Sequence, residues 1–398
     1  MTGFLHGVEV IEVDTGARPI RTVRSSVIGI VGTAPDADPE KFPYNTPVLI
    51  AGSRTEAADL DTEGNGEGTL PAALNGIFDQ AGAVVIVVRV EEGEDDDATL
   101  SNVIGGVDSG DDSYMGVHAL LGAESEVGFT PRILCAPGFT HQRPDDAGTP
   151  QANPVVSELV GIAERLRAVI VADGPNTTDA AAIDYSEDFG SARVYLVDPW
   201  VKVFRDGDIV TEPASARVAG VIAKIDDERG FWWSPSNNVI NGITGTARSI
   251  DFKLGDANSR ANLLNEQDVT TIIRQNGFRL WGNRTLSEDP MWAFLSVRRT
   301  GDILNDSLQR AHLWAVDRNI TRTYVQDVED GVNAYIRSLV AQGALLGGRC
   351  WADPDLNTAQ NIQQGKVFFN FDFTPPYPAE HITFRSKLTD EYIEEVFD

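Results

Sequence analysis

The chain reads as an α/β protein, a parallel-rich sheet with flanking helices. That sheet is joined to an α+β unit and bracketed by extended N- and C-terminal β-arms. Three observations carry this reading. From Ser25 onward, short Val- and Ile-rich runs alternate with helical stretches. Those runs are apolar on both faces, the pattern of parallel strands covered by helices on both sides. The two ends are β-prone and proline-bearing, without enough apolar residues to close on a core of their own. At 398 residues the length suits two to three domains. The expected division is an arm over 1–24, an α/β domain over 25–250, a second domain over 251–373, and a linker with a second arm over 374–398.

The elements follow in order. Val8, Val10, Ile11 and Val13 mark a β-prone, partly alternating segment that stops at Asp14-Thr15-Gly16. Three arginines and a proline in 18–24 argue against a buried central strand there. Strands are expected at Ser26–Val31, Pro47–Ile50, Ala83–Val90, Arg132–Ala136, Ala168–Ala172 and Arg193–Val197. Helices are expected at Leu70–Gln80, Gly116–Glu124, Val155–Leu166, Thr178–Phe189 and Pro213–Glu228, with Thr178 as an N-cap. Farther on, helical stretches are expected at Gln267–Arg274, Asp302–Ala315 and Val325–Gln342, the last stopped by Gly343. Gly365–Phe373 alternates Val367, Phe369 and Phe371 against more polar neighbours and reads as a strand with one apolar face. Three prolines in 374–380 stiffen a linker, and Ile382, Phe384 and Leu388 alternate in the final arm.

Charge is the abnormal feature. The net charge is −28, which argues against nucleic acid or an anionic membrane as partner. The longest apolar run, Ala83–Val88, is far too short to cross a bilayer. Residues 251–349 hold 12 basic and 12 acidic side chains, a neutral segment in an acidic chain. Its Arg274, Arg279, Arg284, Arg298 and Arg299 suit bidentate pairing with carboxylates of identical copies, and so point to self-assembly. Catalytic and metal signatures are missing. The five histidines have no ligand spacing, and neither a nucleophile elbow nor a phosphate loop occurs. Cys135 reads as a small core residue. No cofactor and no metal are expected. An α/β hydrolase assembled from distant residues is the enzymatic alternative.

The segments Phe4–Val10, Gly16–Ile20, Ser25–Gly29 and Asn45–Ile50 resemble the contractile tail sheath proteins of temperate myophages. So do Gly277–Thr285, Ala311–Asp317, Gly365–Val367 and Ile382–Arg385. Val171–Asn176 and Trp233–Asn237 are especially similar to R-type pyocin sheaths. The resemblance runs through essentially the whole chain in order, and departs mainly in the loops 61–68, 91–112 and 141–154. It implies a structural, non-catalytic subunit that stacks as hexameric rings around an inner tail tube. Contraction then drives the tube through the bacterial envelope. The implied partners are further copies of the chain, the tube protein, the baseplate and the tail terminator, in a virion tail or bacteriocin particle assembled in the host cytoplasm. A related extracellular or type VI-like injection sheath is the alternative. By the same resemblance, 25–250 is the outer domain and 251–373 the inner one. Both arms are expected to join neighbours at the strand of Val367, Phe369 and Phe371. The helix bearing Asp327, Glu329, Asp330 and Arg337 is expected to face the tube.

Overall fold

Val- and Ile-rich runs settle as strands where both of their faces meet helices. In the computed structural model, which describes residues 19–205, 207–390 and 392, six such strands form one sheet. They are β1 (Ile28–Thr33), β2 (Pro47–Ala51), β3 (Val84–Val90), β4 (Ile133–Cys135), β5 (Val169–Asp173) and β6 (Val194–Val197). Their order is β6-β5-β4-β1-β3-β2, and every neighbouring pair is parallel except β2 with β3. All six expected strands are therefore present, displaced by at most two residues at an end.

Alternation along the strands builds two cores. Val85 and Val87 join one with Leu74 and Ile77 of α1 (Leu70–Phe78). Ile86 and Val88 join the other. Helix α2 (Asp96–Ile104) and helix α3 (Pro154–Leu166) lie on that second face, where α3 contributes Val155, Leu159 and Ile162. Helix α4 (Asp179–Ser186) adds Tyr185, and its N-cap Thr178 accepts from the Ala181 amide at 3.1 Å. Helix α5 (Ser215–Glu228) covers the first face with Val218, Val221 and Ile222. Each such fully buried side chain contributes about 1.5–3 kcal/mol. Gly116–Glu124, expected as α-helix, is instead a 3₁₀ segment over Gly116–Gly122 followed by one α-turn at Ala123–Val127.

Residues 267–274 correct a second expectation. The helix lies earlier, at Arg260–Glu266, and Thr271–Arg274 is strand β7, paired antiparallel with β8 (Phe278–Trp281). The β-branched run Thr270–Ile273 favours a strand. Asn276 (φ 51°) and Gly277 (φ 103°) make the left-handed turn that an Asn-Gly pair supplies. Ile272 and Leu280 of this hairpin pack into the sheet's first core. Residues beyond 250 therefore take part in the sheet's own core.

A third core forms around α6 (Leu295–Ala311) and α7 (Arg322–Gln342). Ile303 and Leu304 of α6 meet Val332, Tyr335, Ile336 and Leu339 of α7. Thr321 caps α7 by accepting from the Tyr324 amide, and Gly343 (φ 80°) ends it. An antiparallel pair closes this core, β9 (Gly347–Ala352) with β10 (Phe369–Thr374). The described end of the N-terminal arm docks here too, with Ile20 and Val23 packed on the core and the Val23 amide donating to Ser307 Oγ at 3.0 Å. Val8, Val10, Ile11 and Val13 lie outside the described residues.

At the end of β5, the fully buried Asp173 carboxylate accepts from the Ser215 amide at 2.8 Å and so caps α5. Burial pushes this carboxyl up to about 6, against the Ser215 and Thr140 hydrogen bonds that favour its charge. The native state thus binds a proton more tightly than the unfolded chain, whose carboxyl stays near 3.8. The group's contribution is fully present below about pH 4 and is lost as pH rises through 6. In Asp173→Asn, the difference in unfolding free energy from the parent should change by roughly 2–3 kcal/mol across that window. Urea unfolding at pH 4, 5, 6 and 7 measures it, and a constant difference would contradict this account.

Candidate functional site

A two-stranded ladder has two outer edges, and here they differ. On the β9 side, α7 closes the edge. Asn333 Oδ1 accepts from the Cys350 amide at 2.8 Å, its Nδ2 donates to the Cys350 carbonyl at 2.9 Å, and Glu329 accepts from the Ala352 amide. On the β10 side no further strand lies alongside among the described residues. Phe369, Phe371 and Phe373 turn their rings onto the third core, so what β10 offers outward is its backbone edge. Val367 lies two residues before the strand begins and is half-buried.

Beyond the ladder, the proline linker is pinned where Arg284 donates to both oxygens of Glu380, at 3.0 and 2.8 Å. That bond outweighs the opposing effect of burial and holds the Arg284 guanidinium above its ordinary range. After Glu380 the chain leaves the body. Ile382 is 66% exposed, Phe384 92% and Leu388 99%. Among the described residues these three large apolar side chains stay exposed, the kind of surface that marks an interaction site.

On α7, Asp327, Asp330 and Arg337 are exposed along one face, whereas Glu329 is turned into the β9 edge and is not part of that face. Of the five arginines expected at copy contacts, Arg274 is exposed and has no carboxylate or backbone acceptor among the described residues; it lies over the Phe278 ring. Arg279 donates to the Asn237 and Gln275 carbonyls. Arg298 pairs with Asp302 at 2.7 Å, and the buried Arg299 pairs with the buried Asp226 at 2.5 Å. Arg298 and Arg299 therefore tie the subunit together from inside and are not free for a neighbour.

The Arg298–Asp302 pair belongs to a seam that the sequence reading missed. Arg298, Asp302, Asp306 and Arg310 recur every four residues on one face of α6. Each aspartate also meets an arginine that opens a sheet strand, Asp302 with Arg193 (2.7 Å) and Asp306 with Arg132. Burial works against the Arg193 charge, yet Asp302 and Glu164 hold it above its ordinary value. Burial lowers Arg132, and Asp306 offsets only part of that. The four-residue charge spacing was a usable signal. A helix taken to begin at Asp302 leaves Arg298 outside that pattern.

No group of three His, Cys, Asp or Glu side chains among the described residues is arranged to hold a metal ion. Both cysteines are buried, and burial pushes the Cys350 thiol up to about 11. No described helix is long and apolar enough to cross a membrane.

Three family models match the chain in succession. Residues 25–90 match the tail sheath protein Gp18 domain III N-terminal region, 112–286 the phage tail sheath protein central domain, and 287–389 the phage tail sheath C-terminal domain. A chain described as a prophage major tail sheath protein of Pseudomonas aeruginosa (strain UCBPP-PA14) is 45% identical over 99% of both chains. The chain belongs to the phage tail sheath family. The tail sheath protein of Escherichia phage P2 is 38% identical, covering 99% of this sheath protein and 98% of that one. Among solved structures, the contracted helical sheath of the anti-feeding prophage superposes with a TM-score of 0.71 at 23% identity, over 98% of this chain and 100% of that one. The contracted sheath of an extracellular contractile injection system gives 0.68 at 18%, over 98% and 99%. The fold is thus the sheath fold, and the protein is a structural subunit of a contractile tail sheath of the phage and pyocin-like kind.

Proposed function

We propose that copies of this sheath protein stack as six-membered rings around an inner tube, and that contraction drives the tube through a bacterial envelope. The observation that carries this reading is the presence, among the described residues, of an open β10 edge together with a terminal segment whose Ile382, Phe384 and Leu388 are exposed. Strand addition between copies gives both what they lack, and its backbone hydrogen bonds tolerate rotation of the rigid bodies. The N-terminal segment of Val8, Val10, Ile11 and Val13 takes the same role. The third core, with α6, α7, β9 and β10, forms the inner part of the subunit, and the six-stranded sheet the outer part. The protein works without catalysis. Its further partners are the tube, the baseplate and the tail terminator, in a virion tail or bacteriocin particle assembled in the host cytoplasm.

Asp327, Asp330 and Arg337 are the tube-facing groups in this reading. Exposed pairs contribute about 0–1 kcal/mol each, enough to hold register and weak enough to release. Negative-stain microscopy of the purified chain with tube protein should show long hollow cylinders. Arg337→Glu should leave empty cylinders intact while lowering the fraction that contain tube severalfold. Unchanged tube content would remove α7 from the tube contact, and compact oligomers without cylinders would remove the polymer itself.

A further inference from the structure

A cleft of about 520 Å³ opens between the end of α3, α6 and the starts of β4 and β6. Six arginines and four carboxylates line it, an excess of positive charge in a chain of net charge −28. Deep in the cleft the arginines are matched by Asp302 and Asp306. At its rim Glu124 pairs with Arg310 and Glu164 with Arg193, but two further arginines meet no carboxylate among the described residues. Arg165 is exposed with no partner among the described residues, and Arg167 donates only to Gln309 Oε1, at 2.9 Å. The Nε of Arg132, a side chain only 4% exposed, also lacks a hydrogen-bond partner there.

The complement lies at the far end of the same sheet. Six of the seven residues in Glu91–Asp97 are acidic and exposed, and none of their carboxylates is in an ion pair among the described residues. The loop is held in shape: the Gly93 amide donates to Thr99 Oγ1 at 2.9 Å, Asn102 Nδ2 donates to the Glu91 carbonyl at 3.0 Å, and Asp95 caps α2. It follows the C-terminal end of β3, whereas Arg132 and Arg193 immediately precede β4 and β6, and these strands share one direction. Loop and cleft are therefore separated by a strand length, roughly 20 Å, and do not meet within one subunit. Complementary patches on opposite ends of a molecule make a heterologous contact that repeats from copy to copy.

We propose that the acidic loop Glu91–Asp97 of one copy docks in the arginine cleft of the next. This contact rests on the sheath reading and is separate from the arms. The native cysteines are buried, so an engineered pair can report it. In cylinders of the Glu94→Cys, Arg165→Cys chain, mild oxidation should give a ladder of covalent multimers on a non-reducing gel, with Asp96→Cys, Arg167→Cys as an independent second pair. Reversing the loop with Glu92→Lys, Glu94→Lys and Asp96→Lys should at least halve the salt concentration that disassembles cylinders. Adding Arg165→Glu and Arg167→Glu should restore it, because the pairing is ionic and screened by salt. Cylinders that form normally, give no ladder with either pair and keep their salt tolerance after loop reversal would overturn the contact while leaving the sheath reading intact. If the unsubstituted chain builds no cylinders, the sheath reading fails and this contact falls with it.

Discussion

A chain truncated after Glu380 should fold as a monomer with an unchanged melting temperature and build no cylinders. The fold loses almost nothing, because residues 381–390 are exposed throughout and the Arg284–Glu380 anchor is kept. The assembly loses far more. Burying Ile382, Phe384 and Leu388 on a neighbour contributes about 1.5–3 kcal/mol each, and each ladder hydrogen bond adds roughly 0.5–1.5 kcal/mol. Even after the entropic cost of ordering the arm, a loss above about 4 kcal/mol per link raises the concentration needed for assembly more than about 1,000-fold. Sedimentation velocity and negative stain at matched concentration measure the outcome. A truncated chain that still built cylinders at the parent's concentration would show that the arm links nothing.

The second large effect lies inside the subunit. Arg299 of α6 and Asp226 of α5 join the third core to the sheet's core, with side chains 4% and 1% exposed. Asp226→Ala leaves a buried guanidinium with only the Ser25 carbonyl to receive it, a loss of about 3–5 kcal/mol. Replacing both partners, as Asp226→Leu with Arg299→Met, removes the charge together with its partner and should recover most of that loss. Denaturant titration of the three variants tests this. An Asp226→Ala chain within 1 kcal/mol of the parent, by order of magnitude, would mean that water reaches the pair and the junction is softer than its geometry.

The parallel sheet was legible because strands buried on both faces carry their own signature. Val84–Val88 is apolar on either side, as a strand covered on both faces requires. The exposed stretch after Glu380 was legible for the opposite reason: Ile382, Phe384 and Leu388 alternate with few apolar residues nearby. Residues 267–274 were misread because the helical reading outweighed an Asn-Gly turn that was visible just beyond, at 276–277. The five arginines show a sharper limit. Their number marked an ionic region, but whether a guanidinium meets its own Asp226 or a neighbour's carboxylate depends on contacts 73 residues apart in sequence. Closure of the β9 edge by Asn333 and Glu329 was likewise out of reach, since a side chain capping a strand edge looks in sequence like one more polar residue on a helix. That detail decides which edge of the ladder is left open among the described residues.

Helical reconstruction of the assembled cylinder tests the central claim most directly, by tracing residues 381–388 at side-chain resolution. The account predicts continuous density from Glu380 of one subunit to an added strand along the Phe369–Thr374 edge of a neighbour, with Ile382, Phe384 and Leu388 buried. Density that folds back onto its own subunit, with the Phe369–Thr374 edge bare in every copy, would contradict it.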